Sequence, residues 1–399
     1  MTDIFAKYAG LAADIENLRR AAPRNPFGVV IERPLSATVG LIEGRETLLF
    51  GTNNYLGLSQ SSVAAEAAIA AIRSEGVGTT GSRIANGTYA LHKTLEHRLA
   101  ETFRKRHCLV FSTGYQANLG TISALAGKDD ILLLDADSHA SIYDGSRLSQ
   151  AQVIRFRHND PEDLDRRLGR LKDHQGAKLI VVEGIYSMTG NVAPMKEFVE
   201  VKKAHGAWLL ADEAHSFGVL GASGLGVAEA QGCETEVDFI VGTFSKSLGT
   251  VGGYCVSDHD GIELIRLCSR PYMFTASLPP EIIAATLGSL TEMQARPELR
   301  EKLMANARQL HDGLKGLGLS VSTHVSPVVA VTLDNVEQAI AMWNRLLESG
   351  LYVNLSLPPA TPTQNPLLRC SVMAAHETDQ IAQAVGIFER VAGEYGLGR

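Results

Sequence analysis

Short runs of consecutive apolar residues alternate with helical patterns from about residue 47 to residue 258. The runs are HCLVF (107–111), DILLLD (130–135), AQVIRF (151–156), KLIVVEG (178–184), AWLLAD (207–212), DFIVGT (238–243) and GGYCVSD (252–258). A strand that helices cover on both faces is apolar at consecutive positions rather than at every second one. The pattern therefore predicts an α/β fold whose main sheet has seven strands and is mostly parallel.

The pattern differs on either side of this central part. Residues 1–22 predict an amphipathic helix, which a stretch with Pro23, Pro26 and Pro34 connects to a strand at 47–50. After Pro279 and Pro280 the chain predicts long helices at about 281–316, strands at 327–333, 351–355 and 367–372, a Pro-rich loop at 358–362 and a final helix. We therefore predict an N-terminal helix and arm (1–50), a large domain (51–285) and a smaller α+β domain (286–399).

The segment GTFSKSLGTVGG (242–253) carries the most informative chemistry. Lys246 follows an apolar strand directly and is flanked by Ser245, Ser247 and glycines. A lysine amine forms a Schiff base with an aldehyde, and nearby hydroxyl and backbone N–H groups suit a phosphate. An isolated lysine would be expected to be solvated, but this one has neighbours that suit a bound ligand.

The segment LLADEAHSFG (209–218) places Asp212 at the end of a buried strand and His215 three residues later. A carboxylate at this position can pair with a protonated pyridine nitrogen. Helix capping by Asp212 and an ordinary packed histidine at His215 are the simpler alternatives. A metal site is disfavoured, because Asp-x-x-His is not a usual ligand spacing.

Two further junctions follow predicted strands. Gly114 in STGYQANLG (112–120) marks a helix start whose free N–H groups could bind a phosphate, although an ordinary capped helix fits as well. DADSHASIYDG (135–145) contains three Asp and one His, and we favour the ring of His139 as a flat surface against an aromatic cofactor over a metal site.

Two nucleotide-binding motifs are excluded. Residues 76–81, GVGTTG, match the dinucleotide pattern but follow a helical segment where that pattern requires a strand. The segment GTFSKS lacks the glycine that precedes the lysine of a Walker loop.

Composition narrows the class of protein further. The 37 Lys and Arg against 44 Asp and Glu give a net charge of -7, so general nucleic-acid binding is disfavoured. Five scattered cysteines without a C-x-x-C pair predict reduced thiols, and the acidic N-terminus is unlike a signal peptide. No apolar stretch is long enough for a membrane span. These features predict a cytoplasmic protein, and peripheral contact with a membrane stays open.

Taken together, these motifs resemble the α-oxoamine synthases, a family of fold-type I pyridoxal-phosphate (PLP) enzymes. Asp212-x-x-His215 is followed by Lys246 after 31 residues, within T-F-S-K. The resemblance spans nearly the whole chain and also rests on FGTNNYLGL (50–58), GTTGSRIANGT (78–88), STGYQAN (112–118), EGIYSMTGNVAPM (183–195), ADEAHSFGVLG (211–221) and FTASLPP (274–280).

The resemblance implies a role for each matching residue. Lys246 would hold PLP covalently and act as the base at the substrate's Cα, Asp212 would pair with the ring nitrogen, and His215 would bond the ring hydroxyl. His139 would stack on the ring, orient the substrate carboxylate and polarise the thioester. Two further sets of contacts are implied. The cofactor phosphate would be bound by Gly114, Tyr115, Thr243 and Ser245, and by Thr275 from a second subunit. The substrate carboxylate would be bound by Asn54 and Arg369.

Within the family, GTFSKSLGTVGG, NGTYALHKTLE (86–96) and the PATP loop (359–362) most resemble the branch that joins L-serine to a long-chain acyl-CoA such as palmitoyl-CoA, with loss of CoA and CO2. Sister enzymes that make 8-amino-7-oxononanoate, 5-aminolevulinate or 2-amino-3-ketobutyrate more often have Gly where this chain has Ser245, and they remain the alternative. A non-catalytic subunit of the same fold is disfavoured by Lys246, Asp212 and His215.

The resemblance also implies a homodimer with shared active sites. One position departs from the pattern: some relatives have Arg before the double proline of the small-domain loop, where this chain has Leu357. An anionic contact from that position would be lost here.

Overall fold

A computed structural model describes residues 3–21, 24–358, 360–362 and 364–398. The chain divides into two compact units. The larger unit comprises residues 53–187 and 191–303, and the smaller unit comprises residues 1–52, 188–190 and 304–399. The domain bounds inferred from the sequence stay a prediction.

The strands, in chain order, are β1 (Arg33–Pro34), β2 (Val39–Ile42), β3 (Arg45–Leu49), β4 (His107–Phe111), β5 (Ile131–Asp135), β6 (Gln152–Phe156), β7 (Lys178–Glu183), β8 (Trp208–Asp212), β9 (Phe239–Thr243), β10 (Gly253–Ser257), β11 (Ser320–Val321), β12 (Val328–Thr332), β13 (Leu351–Tyr352), β14 (Asn354–Ser356) and β15 (Leu367–Ser371).

The helices are α1 (Ala9–Ala21), α2 (Ser62–Glu75), α3 (Ala90–Phe103), α4 (Gly114–Leu125), α5 (Ala140–Ser149), α6 (Pro161–Gly169), α7 (Met195–His205), α8 (Val227–Ala230), α9 (Ile265–Cys268), α10 (Arg270–Met273), α11 (Pro280–Ala295), α12 (Glu298–Gly316), α13 (Val336–Glu348) and α14 (Thr378–Glu394). Short 3-10 turns lie at Ala6–Tyr8, Leu58–Gln60, Glu234–Glu236 and Asp260–Leu264.

The larger unit is built on one seven-stranded sheet in the order β4-β10-β9-β8-β7-β5-β6. Neighbouring strands from β9 to β6 are parallel, and β10 runs antiparallel to both of its neighbours, β9 and β4. Every residue of β5 and β9 is buried, as expected for strands covered on both faces. The mostly parallel sheet is therefore confirmed, and each of the seven apolar runs contains one of its strands.

Two helices begin at the carboxyl edge of this sheet and present their N-termini there. Helix α4 follows β4 and is capped by Thr113, whose side chain accepts a hydrogen bond from the Gln116 N–H at 3.1 Å. Helix α5 follows β5 and is capped by His139, whose ring accepts from the Ser141 N–H at 3.2 Å. A histidine replaces the usual Ser, Thr, Asp or Asn cap, and this choice fixes the orientation of its ring.

The smaller unit contains two four-stranded sheets, ordered β1-β2-β3-β13 and β11-β12-β15-β14. The single strand predicted at 351–355 is wrong. Leu351 and Tyr352 pair in parallel with β3, whereas Asn354 to Ser356 pair with β15. Between them, the carbonyl of buried Val353 accepts from the indole N–H of Trp343 at 2.8 Å, so this residue joins neither sheet.

The other predictions for the chain ends are confirmed in outline. The first helix is shorter than predicted, since a 3-10 turn at Ala6–Tyr8 precedes α1. The predicted helical stretch at 281–316 is two helices, α11 and α12, and the first predicted strand begins two residues earlier, at Arg45. Residues 1, 2, 22, 23 and 359 of these predictions lie outside the described residues. Among the described residues, no helix is long and apolar enough to cross a membrane.

Candidate active site

A cavity of about 270 Å³ lies where the strands of the larger unit's sheet end. Eight of the residues predicted to contact the cofactor line this cavity: Gly114, Tyr115, His139, Asp212, His215, Thr243, Ser245 and Lys246. They come from the ends of four strands and from the first turns of α4 and α5. Parallel strands bring their carboxyl ends to one edge of a sheet, which explains why residues so distant in sequence meet here.

Asp212, the last residue of β8, is buried and held by two donors. Its Oδ2 accepts from Asn118 Nδ2 at 2.7 Å, and its Oδ1 accepts from the Ala214 N–H at 2.9 Å. These bonds orient the carboxylate at the cavity wall. A fixed, buried carboxylate is suited to pair with a cation such as a protonated ring nitrogen.

His215 is also buried, and its Nδ1 lies 2.6 Å from the hydroxyl of Tyr55. The two residues are 160 positions apart in the sequence, so only the fold brings them together. Tyr55 is itself fully buried. This contact orients the imidazole in the cavity wall.

His139 lines the cavity with its ring. Its Nδ1 lies 2.8 Å from Ser141 Oγ, and the Tyr115 ring stands edge-on to it with centroids 6.2 Å apart. Burial lowers the pKa of His139, the charge of Asp212 opposes this shift, and the charge of Lys246 adds to it. The imidazole is therefore favoured in its neutral form.

Glu183 is a second buried carboxyl in the cavity wall. Burial, reinforced by the negative charge of Asp212, raises the pKa of Glu183 well above its ordinary value. Its Oε1 accepts from the backbone N–H of His139 at 2.5 Å. The environments of Asp212 and Glu183 therefore differ, and that of Glu183 favours the neutral, protonated form of its carboxyl.

The opposite end of the cavity is rich in backbone and hydroxyl donors. Gly114 begins α4, and a Cβ at this position would lie 2.7 Å from the Cβ of Thr243, so only glycine permits this close approach. The hydroxyls of Thr243 and Ser245 are 2.9 Å apart. Free N–H groups at the start of a helix, together with two hydroxyls, form a site suited to a phosphate.

Lys246 lies on the loop that follows β9 and is half-buried. The loop is fixed directly after Lys246: Ser247 Oγ donates to the Phe217 carbonyl at 2.6 Å, and Gly249 takes a positive φ of 65°. A Cβ at Gly249 would lie 2.4 Å from the backbone nitrogen of Ser59. The amine is therefore presented by a rigid turn rather than by a solvated loop.

Three of the predicted site residues do not line the cavity. Thr275 accepts from Gln116 Nε2 at 3.1 Å, which places it beside the first turn of α4. Asn54 Nδ2 donates to Ser59 Oγ at 2.8 Å. Arg369 lies in the smaller unit on β15, where its guanidinium donates to Ser371 Oγ at 2.7 Å.

Leu357 also belongs to the smaller unit, and its carbonyl accepts from the Ala360 N–H at 3.0 Å. Its effect on an anionic contact stays a prediction.

Four residues that received no role in the sequence analysis contribute to the site. Asn118, Ser141 and Glu183 line the cavity, and Tyr55 supports His215. Tyr55, Asn118 and Glu183 lie within the motifs that carry the family resemblance, and Ser141 lies in the segment DADSHASIYDG (135–145). The motifs could have directed attention to these positions, but the partner of each side chain comes from another part of the chain.

The donor set of this cavity fits PLP. It combines a lysine amine for the aldehyde, a buried carboxylate for the ring nitrogen, a histidine ring for the aromatic face and a helix N-terminus for the phosphate. Among the described residues, no group of three or more His, Cys, Asp or Glu side chains is arranged to hold a metal ion.

Comparisons with known proteins agree with this geometry. The family model for aminotransferase class I and II matches residues 45–388. The serine palmitoyltransferase of Caulobacter vibrioides is 57% identical over 94% of this chain and 92% of its own length. A solved structure of serine palmitoyltransferase with a PLP internal aldimine superposes with a TM-score of 0.96 at 49% identity, covering 99% of this chain and all of the other. The 8-amino-7-oxononanoate synthase of Geobacter metallireducens is more distant, with 38% identity over 90% of this chain and 92% of its own.

Proposed function

Because this chain belongs to the aminotransferase class I and II family, we propose that it is a PLP-dependent acyltransferase of the serine palmitoyltransferase type. It condenses L-serine with a long-chain acyl-CoA such as palmitoyl-CoA. The Cα of serine bonds to the thioester carbonyl carbon, CoA leaves as the thiol, and the serine carboxylate leaves as CO2 to give 3-oxosphinganine. The observation that carries this proposal is the cavity that brings Lys246, Asp212, His139 and His215 together in a chain 57% identical to a serine palmitoyltransferase.

When bound, the cofactor supplies an electron-withdrawing ring that stabilises negative charge at the substrate's Cα. The protein provides the remaining functions. Lys246 holds the cofactor and removes the Cα proton, since its amine is the basic group presented by the rigid turn after β9. Asp212 holds a positive charge at the ring nitrogen, and His215 binds the ring hydroxyl. The helix start at Gly114 and the hydroxyls of Thr243 and Ser245 bind the phosphate.

His139 has two roles in this proposal. Its ring covers the face of the cofactor, and its Nε2 donates a hydrogen bond to the serine carboxylate and then to the thioester oxygen. Arg369 and Asn54 complete the carboxylate site, and Thr275 contributes to the phosphate site of a second subunit.

We also propose that the active form is a homodimer. Around the cavity mouth, apolar side chains are exposed to an unusual degree: Phe274 is 68% exposed, and Val251 and Tyr115, which line the cavity, are 47% and 40% exposed. Ser277 connects the Phe274 loop to the loop that contains Val77, because its N–H donates to the Gly81 carbonyl at 3.0 Å. Large apolar side chains exposed near a cavity are typical of an interface between subunits. Sedimentation equilibrium should give twice the 42.8 kDa chain mass, and Phe274→Asp should shift the protein towards monomer.

A cytoplasmic location is part of the same proposal. It rests on the odd number of cysteines, all five of which are free thiols in the described structure.

The decisive experiment is product analysis by mass spectrometry after incubation of the PLP-loaded protein with L-serine and palmitoyl-CoA. We expect 3-oxosphinganine, free CoA and CO2, and no product from the Lys246→Ala protein. Alanine or glycine with shorter acyl-CoAs should be much poorer substrates. Faster condensation with one of those pairs would contradict the serine assignment and favour a sister α-oxoamine synthase.

A further inference from the structure

A chain of short hydrogen bonds joins Asp212 to His139 in the cavity wall. Asn118 Nδ2 donates to Asp212 Oδ2 at 2.7 Å and to Ser141 Oγ at 2.9 Å. Ser141 Oγ in turn lies 2.8 Å from His139 Nδ1. Asn118 and Ser141 are both almost fully buried, so the two bonds that Asn118 donates do not compete with bulk water.

The direction of each bond follows from its partners. A carboxylate only accepts, so the Asn118 amide must present its NH2 group to Asp212 and use its second hydrogen for Ser141 Oγ. The Asn118 carbonyl oxygen is buried without a hydrogen-bond partner among the described residues, a cost that the two donated bonds must offset. Because Ser141 Oγ accepts from the amide, its own hydrogen is available to His139.

The backbone of α5 fixes the last step. His139 Nδ1 accepts from the Ser141 N–H at 3.2 Å, because His139 is the N-cap of this helix. A nitrogen that receives two donors, one from the backbone and one from the hydroxyl, cannot itself carry a proton. The ring proton must therefore be on Nε2, the nitrogen on the side away from this relay.

We propose that Asn118 and Ser141 are positioning residues that hold His139 in its Nε2–H tautomer, ready to donate into the cavity. The relay connects the charge of Asp212 to the donor strength of His139, since each bond polarises the next. This inference deepens the proposed function and rests on it, because the hydrogen bond from Nε2 to substrate is the step that the relay prepares.

The charged and titratable surroundings of His139 support the neutral tautomer. Asp212 faces it from β8, Lys246 from the loop after β9, Glu183 contacts its backbone from β7, and the Tyr115 ring contacts it from α4. Burial and Lys246 together outweigh Asp212, and they lower the pKa of the imidazole.

Histidine ring NMR of the holoenzyme tests the relay directly. In protein labelled with 15N-histidine, His139 is identified as the signal lost in His139→Gln, and its two ring nitrogens report the tautomer and the proton affinity. We expect a single Nε2–H form at neutral pH. In Ser141→Ala, the lost hydroxyl donor should increase the proton affinity of His139 about two- to tenfold, the equivalent of one hydrogen bond. The pKa that the pH profile of kcat/KM for serine reports should increase by the logarithm of the same factor.

Matched variants separate this role from a structural one. Asn118→Ala should shift His139 in the same direction by a smaller factor, and the double variant should shift it no further than Ser141→Ala, because Asn118 acts through Ser141. Ser146→Ala removes another buried hydroxyl from the same helix, one that bonds the Tyr143 carbonyl, and should leave His139 unchanged.

Two results would overturn the proposal: a proton on Nδ1 in the unmodified protein, or a folded Ser141→Ala protein whose His139 titrates as before. The NMR result does not depend on turnover. A protein that shows the expected tautomer but makes no 3-oxosphinganine would contradict the proposed function and leave the relay intact.

Discussion

The two edges of the seven-stranded sheet use charged side chains in opposite ways. At the amino edge, two lysines have partners of opposite sign: Lys105 Nζ lies 2.9 Å from Asp258 Oδ2, and Lys202 Nζ lies 2.8 Å from Asp238 Oδ2. At the carboxyl edge, Asp212 is held by the neutral donors Asn118 and the Ala214 N–H. Paired charges stabilise a fold, whereas a buried carboxylate held by neutral donors keeps its charge available for a ligand. In these examples, charge pairs lie at the amino edge and the carboxylate held by neutral donors lies at the carboxyl edge.

The largest loss of activity is expected for Lys246→Ala at the carboxyl edge. Removal of the amine eliminates both the covalent attachment of the cofactor and the base at Cα, so turnover should fall by at least about 10³-fold. Steady-state release of CoA, measured with a thiol reagent, checks this. The melting temperature should change little, and a protein that kept its activity would show that Lys246 is not the reactive lysine.

Asp212→Asn should reduce kcat by about 10²- to 10³-fold, the range found when one preorganised electrostatic contact is removed. The amide keeps the size of the side chain but cannot stabilise a positive ring nitrogen. Single-turnover kinetics with serine and palmitoyl-CoA measure the effect. Undiminished turnover in this variant would contradict the distinction between the two edges, since Asp212 would then act only in packing.

The corresponding variant at the amino edge is Asp238→Ala. It removes the partner of Lys202 and the acceptor of the Leu209 N–H, which donates to Asp238 Oδ2 at 2.7 Å. We expect a destabilisation of about 1–3 kcal/mol. The melting temperature of the larger unit should fall by about 2–4 °C for each kcal/mol, with kcat unchanged. Calorimetry and the CoA-release assay on one preparation give both values, and a fall in kcat without a fall in melting temperature would reverse the comparison.

The smallest effect on stability is expected for His158. This residue lies at the carboxyl edge, but it is paired with a residue of opposite charge, Asp135, as the lysines at the amino edge are. Burial lowers the pKa of His158, but the hydrogen bond to Asp135, at 2.9 Å, and the charges of Asp135 and Asp137 outweigh it, so the net pKa is raised. The pair therefore stabilises the fold fully below the ordinary histidine pKa of 6.5, and this contribution is lost as the pH rises through the raised value.

Melting temperatures of His158→Gln and of the unmodified protein, measured from pH 5.5 to 8.5, check this. The gap between the two should be widest at low pH and should narrow as the pH rises. His97→Gln is the control for the loss of a histidine as such, because it removes an exposed histidine that lies 3.5 Å from Glu101. A gap that widens with pH would mean that His158 is stabilised in its neutral form.

The sequence predicts the sheet better than it predicts the site. Each of the seven predicted runs contains a strand. Six of these strands are mostly buried, and burial on both faces leaves an unambiguous pattern over five or six residues; in β6 only Phe156 is buried. The prediction of one strand at 351–355 is wrong. The composition of this segment cannot show that the Val353 carbonyl accepts from the Trp343 indole and that the residues on either side of Val353 pair with different sheets. Short edge strands such as β1 and β11 have two residues each and leave no pattern to detect.

For the site, the motifs identified the residues that would contact the cofactor but not those that support them. Lys246, Asp212 and His139 each follow an apolar run, so their place at the carboxyl edge could be predicted. The roles of Asn118 and Ser141 depend on the approach of α4 to α5, and that of Tyr55 on a contact across 160 residues. Such contacts arise from tertiary packing, and no local pattern in a single sequence encodes them.

The division of the smaller unit along the chain has a consequence for biosynthesis. Strand β3 pairs with β13 through Leu48 and Leu351, about 300 residues later in the chain. At the usual rate of about 5–20 residues per second, a ribosome needs roughly 15–60 s to deliver the partner strand. The central residues of the larger unit emerge as one nearly continuous stretch and can begin to fold during that interval.

During translation, one edge of β3 therefore stays unpaired until β13 is synthesised, and an unpaired strand edge can associate with other nascent chains. The strand begins with exposed Arg45 and Glu46 before its three buried residues. Charged residues at an open edge discourage such pairing. The order in which the ribosome delivers the two halves of this small sheet thus favours charged residues at positions 45 and 46, independently of any contact in the finished fold.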